Sequence, residues 1–160
     1  MKDLNDKPGH LARRFQQIAV AVFHAEMEDA GFDLTPVQYA ALAAISAYPG
    51  MDQASLAGTI AYDRTTITGV IDRLVQKDLV TRKASARDRR ARELQMTETG
   101  KRTLRAITPA VEAAQRIMLR GLSAKEAAQL MQLLRKAIAA GNALSRAPLR
   151  DATGNEAKMP

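Results

Sequence analysis

Cysteine and tryptophan are both absent from the 160-residue chain, and aromatic residues make up only 4% of it. Without a thiol there is no disulfide, no thiolate nucleophile and no thiol-based peroxide sensor. The apolar mass is Ala, Leu, Ile, Val and Met instead, a composition suited to packed helices. No apolar run approaches the roughly eighteen residues of a membrane-spanning helix. The opening stretch, MKDLNDKPGH, lacks the apolar core of a secretory signal, so a cytoplasmic location is expected. Catalytic signatures are missing as well: there is no GxSxG, no phosphate-binding loop and no HExxH, so an enzyme is not expected. His10 and His24 are the only histidines. His24 with Glu28 gives two ligands at helical spacing, where zinc needs three or four, so neither metal nor cofactor is expected.

What the chain does have is positive charge. Twenty-four Lys and Arg against 17 Asp and Glu leave a net charge of +7, which points to a polyanionic partner. An amphipathic basic helix would suggest a membrane surface. The densest cationic cluster lies elsewhere, in a segment of alternating character between residues 82 and 92.

Leu11, Phe15, Ile18, Val22 and Met27 recur at near-helical spacing, and Val20 and Phe23 widen the apolar surface. Gly31 closes this first helix. Thr35-Pro36-Val37-Gln38 carries a Thr cap, Pro at the first helical position and Gln three residues past the cap. The helix it opens runs through Tyr39, Leu42 and Ile45 to the break at Tyr48-Pro49-Gly50. Asp52 caps a short helix from Gln53 to about Ile60. After a tight Ala61-Tyr62 connection, Asp63 caps a helix over Arg64–Lys77. Its Ile67, Val70, Ile71 and Leu74 face inward, while Arg64, Thr65, Thr68, Asp72 and Arg73 face out.

The period then changes. Leu79–Arg82 and Arg92–Met96 read as paired strands with a polar, arginine-rich tip. Two strands alone are marginal, so this hairpin must lean on the helices beside it. Thr97 caps a long helix to about Arg120, with Pro109 as a possible kink. Ser123-Ala124-Lys125-Glu126 is a capping box that opens a last apolar helix. The segment 146–160 is polar and reads as a disordered tail.

Two short helices joined by a tight turn, followed by a basic hairpin, form a winged helix-turn-helix. The expected fold is mainly α with a small β-wing. Residues 34–97 form the DNA-binding domain, and residues 10–31 and 98–145 form a helical dimerisation region. The helix at Arg64 suits the major groove, and the helix at Gln53 would turn its first N–H groups to a phosphate. Arg82, Lys83, Arg87, Arg89, Arg90 and Arg92 crowd a hairpin whose only acid before Glu93 is Asp88. Like charges repel there, but a narrow minor groove attracts inserted arginine. The DNA-contacting set is therefore Gln53, Arg64, Thr65, Thr66, Thr68, Arg73, Lys77, Arg82, Arg87, Arg89, Arg90 and Arg92, to which the family resemblance below adds Asp88. A backbone-only binder would load the recognition helix with Lys and Arg. The threonines argue for sequence reading over a sequence-indifferent architectural role, which remains the alternative.

Over residues 10 to 145 the chain resembles the MarR family. Leu34-Thr35-Pro36-Val37-Gln38-Tyr39 is similar to the family's second-helix opening, and Asp63-Arg64-Thr65-Thr66-Ile67-Thr68 with Asp72-Arg73-Leu74 to its recognition helix. Leu79-Val80-Thr81-Arg82, Asp88-Arg89-Arg90-Ala91-Arg92 and Met96-Thr97-Glu98-Thr99-Gly100 follow its wing signature. Asp63 stands where the family often has Ser. The resemblance implies a homodimer over a pseudo-palindrome, with Asp88 orienting a wing arginine and Arg90 in the minor groove. It also implies a small anionic effector, an aromatic acid or its CoA thioester, in a cleft drawing on His10, Arg13, Arg14, Gln17, Phe23, His24, Met27, Tyr39 and Ala43. Phe23 also reads as core, His24 as a buried hydrogen-bonded histidine, and the arginines as surface charge.

Overall fold

The computed structural model describes residues 2–86, 91–151 and 154–155. The short α1 (Lys2–Asn5) leads into α2 (Pro8–Asp29), which begins at a proline and ends where Gly31 takes φ +78°. α3 (Pro36–Ala47) carries the capping box read in the sequence, with the Thr35 hydroxyl accepting from Gln38 N–H and the Gln38 side chain from Thr35 N–H. α4 (Gln53–Thr59) and α5 (Arg64–Gln76) follow, then β1 (Val80–Ala84), β2 (Arg92–Met96), α6 (Glu98–Met118) and α7 (Ala124–Gly141), and a 3₁₀ turn at Asn142–Leu144. The chain is thus mainly helical with a two-stranded antiparallel wing. α6 continues through Pro109, and Ser123 and Glu126 cap α7 reciprocally.

A single core ties the winged module together. Leu42 and Ile45 of α3, Leu56 of α4, Ile71 and Leu74 of α5, Leu94 of β2 and Ile107 of α6 are fully buried. Phe23 and Met27 of α2 join the same cluster. The wing leans on the helices through backbone as well as side chains. Gly50 N–H donates to Leu94 O at 3.0 Å, Leu94 N–H donates to Met51 O at 2.9 Å, and Asp52 bridges Glu93. The chain between α3 and α4 therefore covers the outer edge of β2. This lateral support is what a lone two-stranded hairpin would lack.

α7 is different. None of its residues is buried, and Met131, Leu133 and Ile138 stand exposed, as do Leu11 and Ile18 of α2. Residues 146–150, read from the sequence as the start of a disordered tail, lie instead against α4, where Arg150 N–H donates to Gly58 O at 2.9 Å. Among the described residues no helix is long and apolar enough to cross a membrane.

Candidate nucleic-acid interface

The turn from α4 to α5 is sharp because Ala61 adopts φ +52°, a conformation unusual for a residue with a Cβ. Ala61 N–H donates to Gly58 O at 3.2 Å and Tyr62 N–H to Ala57 O at 2.8 Å. Asp63 then starts α5, its carboxylate accepting from Thr65 N–H at 2.6 Å and from the Thr65 hydroxyl at 2.5 Å. The Thr66 hydroxyl donates back to Asp63 O at 3.1 Å. These bonds hold both threonines of the first turn in place. Below them Ile67, Ile71 and Leu74 are buried, and Arg64, Thr65, Thr68 and Arg73 are left exposed on the other face.

α4 reaches across to this face. Gln53 Nε2 donates to Thr68 Oγ1 at 2.6 Å. With that lone pair taken, the Thr68 proton is free to be donated outward, and the Gln53 carbonyl remains an acceptor. Donor and acceptor thus sit side by side at the middle of the exposed face, the pairing needed to read a base edge.

Not every expected cation points outward. The Lys77 ammonium sits between the Asp33 carboxylate, at 2.8 Å, and the Asp33 carbonyl. In the protomer it fastens the end of α5 to the loop before α3. The Arg82 guanidinium donates to the Asp72 carboxylate, tying the wing's base to α5. Such a part-exposed pair contributes at most about 1 kcal/mol, against about 2–5 kcal/mol for a buried leucine such as Leu94, so the pair orients the wing more than it holds it. Across the hairpin Lys83 stands opposite Glu93, and Ala84 opposite Arg92. Arg92 is exposed. Arg87, Asp88, Arg89 and Arg90 lie outside the described residues. The sequence carried no sign of Asp33 or Asp72 as partners, because each meets its cation only through the fold.

The residues expected to line an effector cleft converge only in part in the protomer. Phe23 and Met27 are buried in the core, with the Phe23 and Tyr39 rings 6.1 Å apart. Ala43 and Tyr39 are half-buried on α3, while Arg13, Arg14 and Gln17 are exposed on the first half of α2. Arg13 donates to the ring of the half-buried His10 at 3.4 Å. His24 is exposed, not buried, its ring edge-on to Phe23 at 6.3 Å. With Met27 it borders a shallow cleft that continues to Glu28, Phe32 and Asp33. Among the described residues no three His, Asp or Glu gather as a metal site.

Two acids of this region titrate low. The Thr65 hydroxyl, then the Thr65 N–H, holds Asp63 below its ordinary 3.8, and the Lys77 ammonium does the same for Asp33. A lowered carboxyl contributes stability that is present above its ordinary pKa and lost as pH falls through the lowered one. The unfolding midpoint is therefore expected to drop as pH falls below about 3.8. Asp63→Asn, which keeps the acceptor but does not titrate, should flatten part of that drop in thermal melts. An unchanged pH profile would show that the cap is not one of its sources.

Comparison with known proteins bears on this geometry. The model of the MarR family matches residues 34–91, from the start of α3 through the wing. The HTH-type transcriptional repressor NicR of Pseudomonas putida is 32% identical over 136 residues, covering 85% of either chain. The PcaV transcriptional regulator of Streptomyces coelicolor, solved in complex with its natural ligand, superimposes with a TM-score of 0.79 at 32% identity, covering 86% of this chain and 96% of that one. Bordetella bronchiseptica BpsR, whose DNA binding is regulated by 6-hydroxynicotinic acid, gives a TM-score of 0.77 at 29% identity over 82% of this chain and 93% of its own.

Proposed function

The chain belongs to the MarR family, and from that premise we propose that it is a DNA-binding transcription regulator, a repressor that grips a pseudo-palindromic operator as a homodimer. The observation that carries this reading is the outer face of α5: Arg64, Thr65 and a Thr68 oriented by Gln53, mounted over a buried apolar face. Arg73, Arg92 and the wing-tip arginines supply affinity that does not depend on sequence. Lys77 would join this set by exchanging its exposed Asp33 partner for a phosphate. Fluorescence anisotropy on DNA from the gene's own upstream region, against a scrambled duplex, tests the reading. Arg64→Ala is expected to cost about 1–3 kcal/mol on the matched duplex and almost nothing on the scrambled one. Equal losses on both would remove Arg64 from sequence reading and favour the architectural alternative.

Release by a small anionic effector is the second half of the proposal. It is supported by the ligand of PcaV and the aromatic acid of BpsR. On this chain Arg13 and Arg14 are exposed guanidinium groups suited to a carboxylate, and a pocket drawing on them together with Phe23 and Tyr39 would be completed by the second subunit. A ligand shifts the equilibrium only through its differential affinity for the free and operator-bound dimer. An inducer that bound both forms equally would sink this mechanism.

A further inference from the structure

Residues 142–150 are built into the fold although the winged module does not need them. The Asn142 side chain clamps Leu149 from both sides, accepting from its N–H at 2.7 Å and donating to its carbonyl at 3.1 Å. This closes an eight-residue loop, braced inside by Ala147 N–H donating to the Ser145 hydroxyl at 3.1 Å. The loop is fastened to α4 by the Arg150 N–H bond to Gly58 O. Gly58 makes that approach possible. A Cβ there would sit 3.2 Å from the Arg150 Cβ, and its three nearest atoms would all belong to Arg150.

The docked loop delivers charge. Arg146 and Arg150 border a cleft of about 320 Å³ together with Asp63, Arg64 and Thr65 at the start of α5. Both tail arginines and Arg64 are exposed, and among the described residues none of the three makes an ion pair. Among the described residues the one carboxylate on the cleft, that of Asp63, already accepts two bonds from Thr65. Three cations around one cleft repel each other unless an anion joins them. A segment that masked the recognition helix would present acids to Arg64, and this one presents arginines.

We propose that residues 142–150 form a basic arm that contacts DNA backbone phosphates beside the recognition helix, a contact separate from the wing. This rests on the DNA-binding reading above, since the arm acts only if α5 lies on DNA. Arg146 and Arg150 neutralise one phosphate each, four in a dimer.

The test is a salt series of anisotropy titrations on the operator, with the intact protein, Arg146→Ala/Arg150→Ala, and Gly58→Leu. Leucine is a good helix former and displaces the arm while leaving its charges in place. Losing four phosphate contacts should reduce the slope of log affinity against log salt by about 3.6, so the gap to wild type narrows about 150-fold between roughly 50 and 200 mM salt. Both variants should show this loss, and both should keep the preference for operator over scrambled DNA. A wild-type slope in either variant overturns the docked arm while leaving the regulator reading intact. Tighter binding on removing the arginines also overturns it, because the arm would then be a cover. Failure of the intact protein to bind any duplex removes the regulator reading and the arm with it.

Discussion

Gly100→Ala should cost about 3 kcal/mol or more, enough to leave much of the protein unfolded at working temperature. A Cβ at this position would lie 2.1 Å from the carbonyl oxygen of Leu79 and 3.0 Å from its carbon, with Leu79 Cα next at 3.2 Å. All three are backbone atoms, so no rotamer change can relieve the overlap. The neighbourhood is also fully bonded. Thr97 N–H donates to that same Leu79 carbonyl at 3.1 Å, the Thr97 hydroxyl donates to Asp78 O at 2.6 Å, and Gly100 N–H returns to the Thr97 hydroxyl at 2.8 Å. Pushing α6 away would break the cap that starts it and lift it from the Asp78–Leu79 turn that leads into β1. The matched control is Gly69→Ala on the exposed face of α5. A Cβ there meets nothing within 4 Å, so alanine should stabilise by about 1 kcal/mol through helix propensity alone. Urea unfolding of the pair decides the matter. A Gly100→Ala midpoint equal to wild type would mean that the close approach of α6 to Leu79 does not exist.

That glycine closes the Met96-Thr97-Glu98-Thr99-Gly100 fragment that resembles the family's wing signature, yet its reason is visible only in three dimensions. The contrast runs through the whole chain. Helix starts were legible because a cap is a local device: Thr35 with Gln38, Asp52, Asp63, Thr97, and Ser123 with Glu126 all do in the structure what their side chains suggest. The buried stripe of α5 was legible for the same reason, a period fixed by helix geometry. Strand β1 begins and ends later than its apolar residues indicated, at Val80–Ala84, because Leu79 closes the α5 terminus with its N–H on Leu74 O before pairing begins.

Long-range commitments left no trace. Lys77 and Asp33 are 44 positions apart, and Arg82 and Asp72 meet only because the left-handed turn at Asp78 folds β1 back beside α5. The effector set gathers only in part for a related reason: Phe23, His24, Met27 and Tyr39 lie together, but the arginines do not join them. Phe23 and Arg13 share one helix, but a 22-residue helix is far longer than a pocket is wide, so its core-facing and terminal residues cannot meet within one protomer. Residues 146–150 looked like tail because their composition is polar. What holds them is the amide of Asn142 and the missing side chain of Gly58, and neither is a compositional signal.

Leu133→Glu, and separately Ile18→Glu, should convert a dimer to monomers and weaken operator binding by at least about 100-fold. In the single chain α7 is an 18-residue helix with no buried residue. Leu133 is 54% exposed and Ile18 47%. Most helix stability in proteins comes from packing an apolar face against the rest of the fold. The apolar face of α7 therefore calls for a partner, and in the proposed homodimer a second copy of this chain would supply the matching face by two-fold symmetry. A carboxylate placed there would have to be desolvated on association, which costs more than the contact returns. Since neither side chain belongs to the buried cluster of the winged module, the module should stay folded, which far-ultraviolet circular dichroism checks. The affinity loss follows from geometry: two linked recognition helices bind the second half-site as an intramolecular step, and monomers lose that advantage. Light scattering reads the mass and anisotropy the binding. If both variants scatter as dimers with unchanged operator affinity, the exposed faces of α2 and α7 are not the interface. If they become monomers but bind as well as before, α5 and the wing of one protomer suffice, and the two-fold operator has no basis.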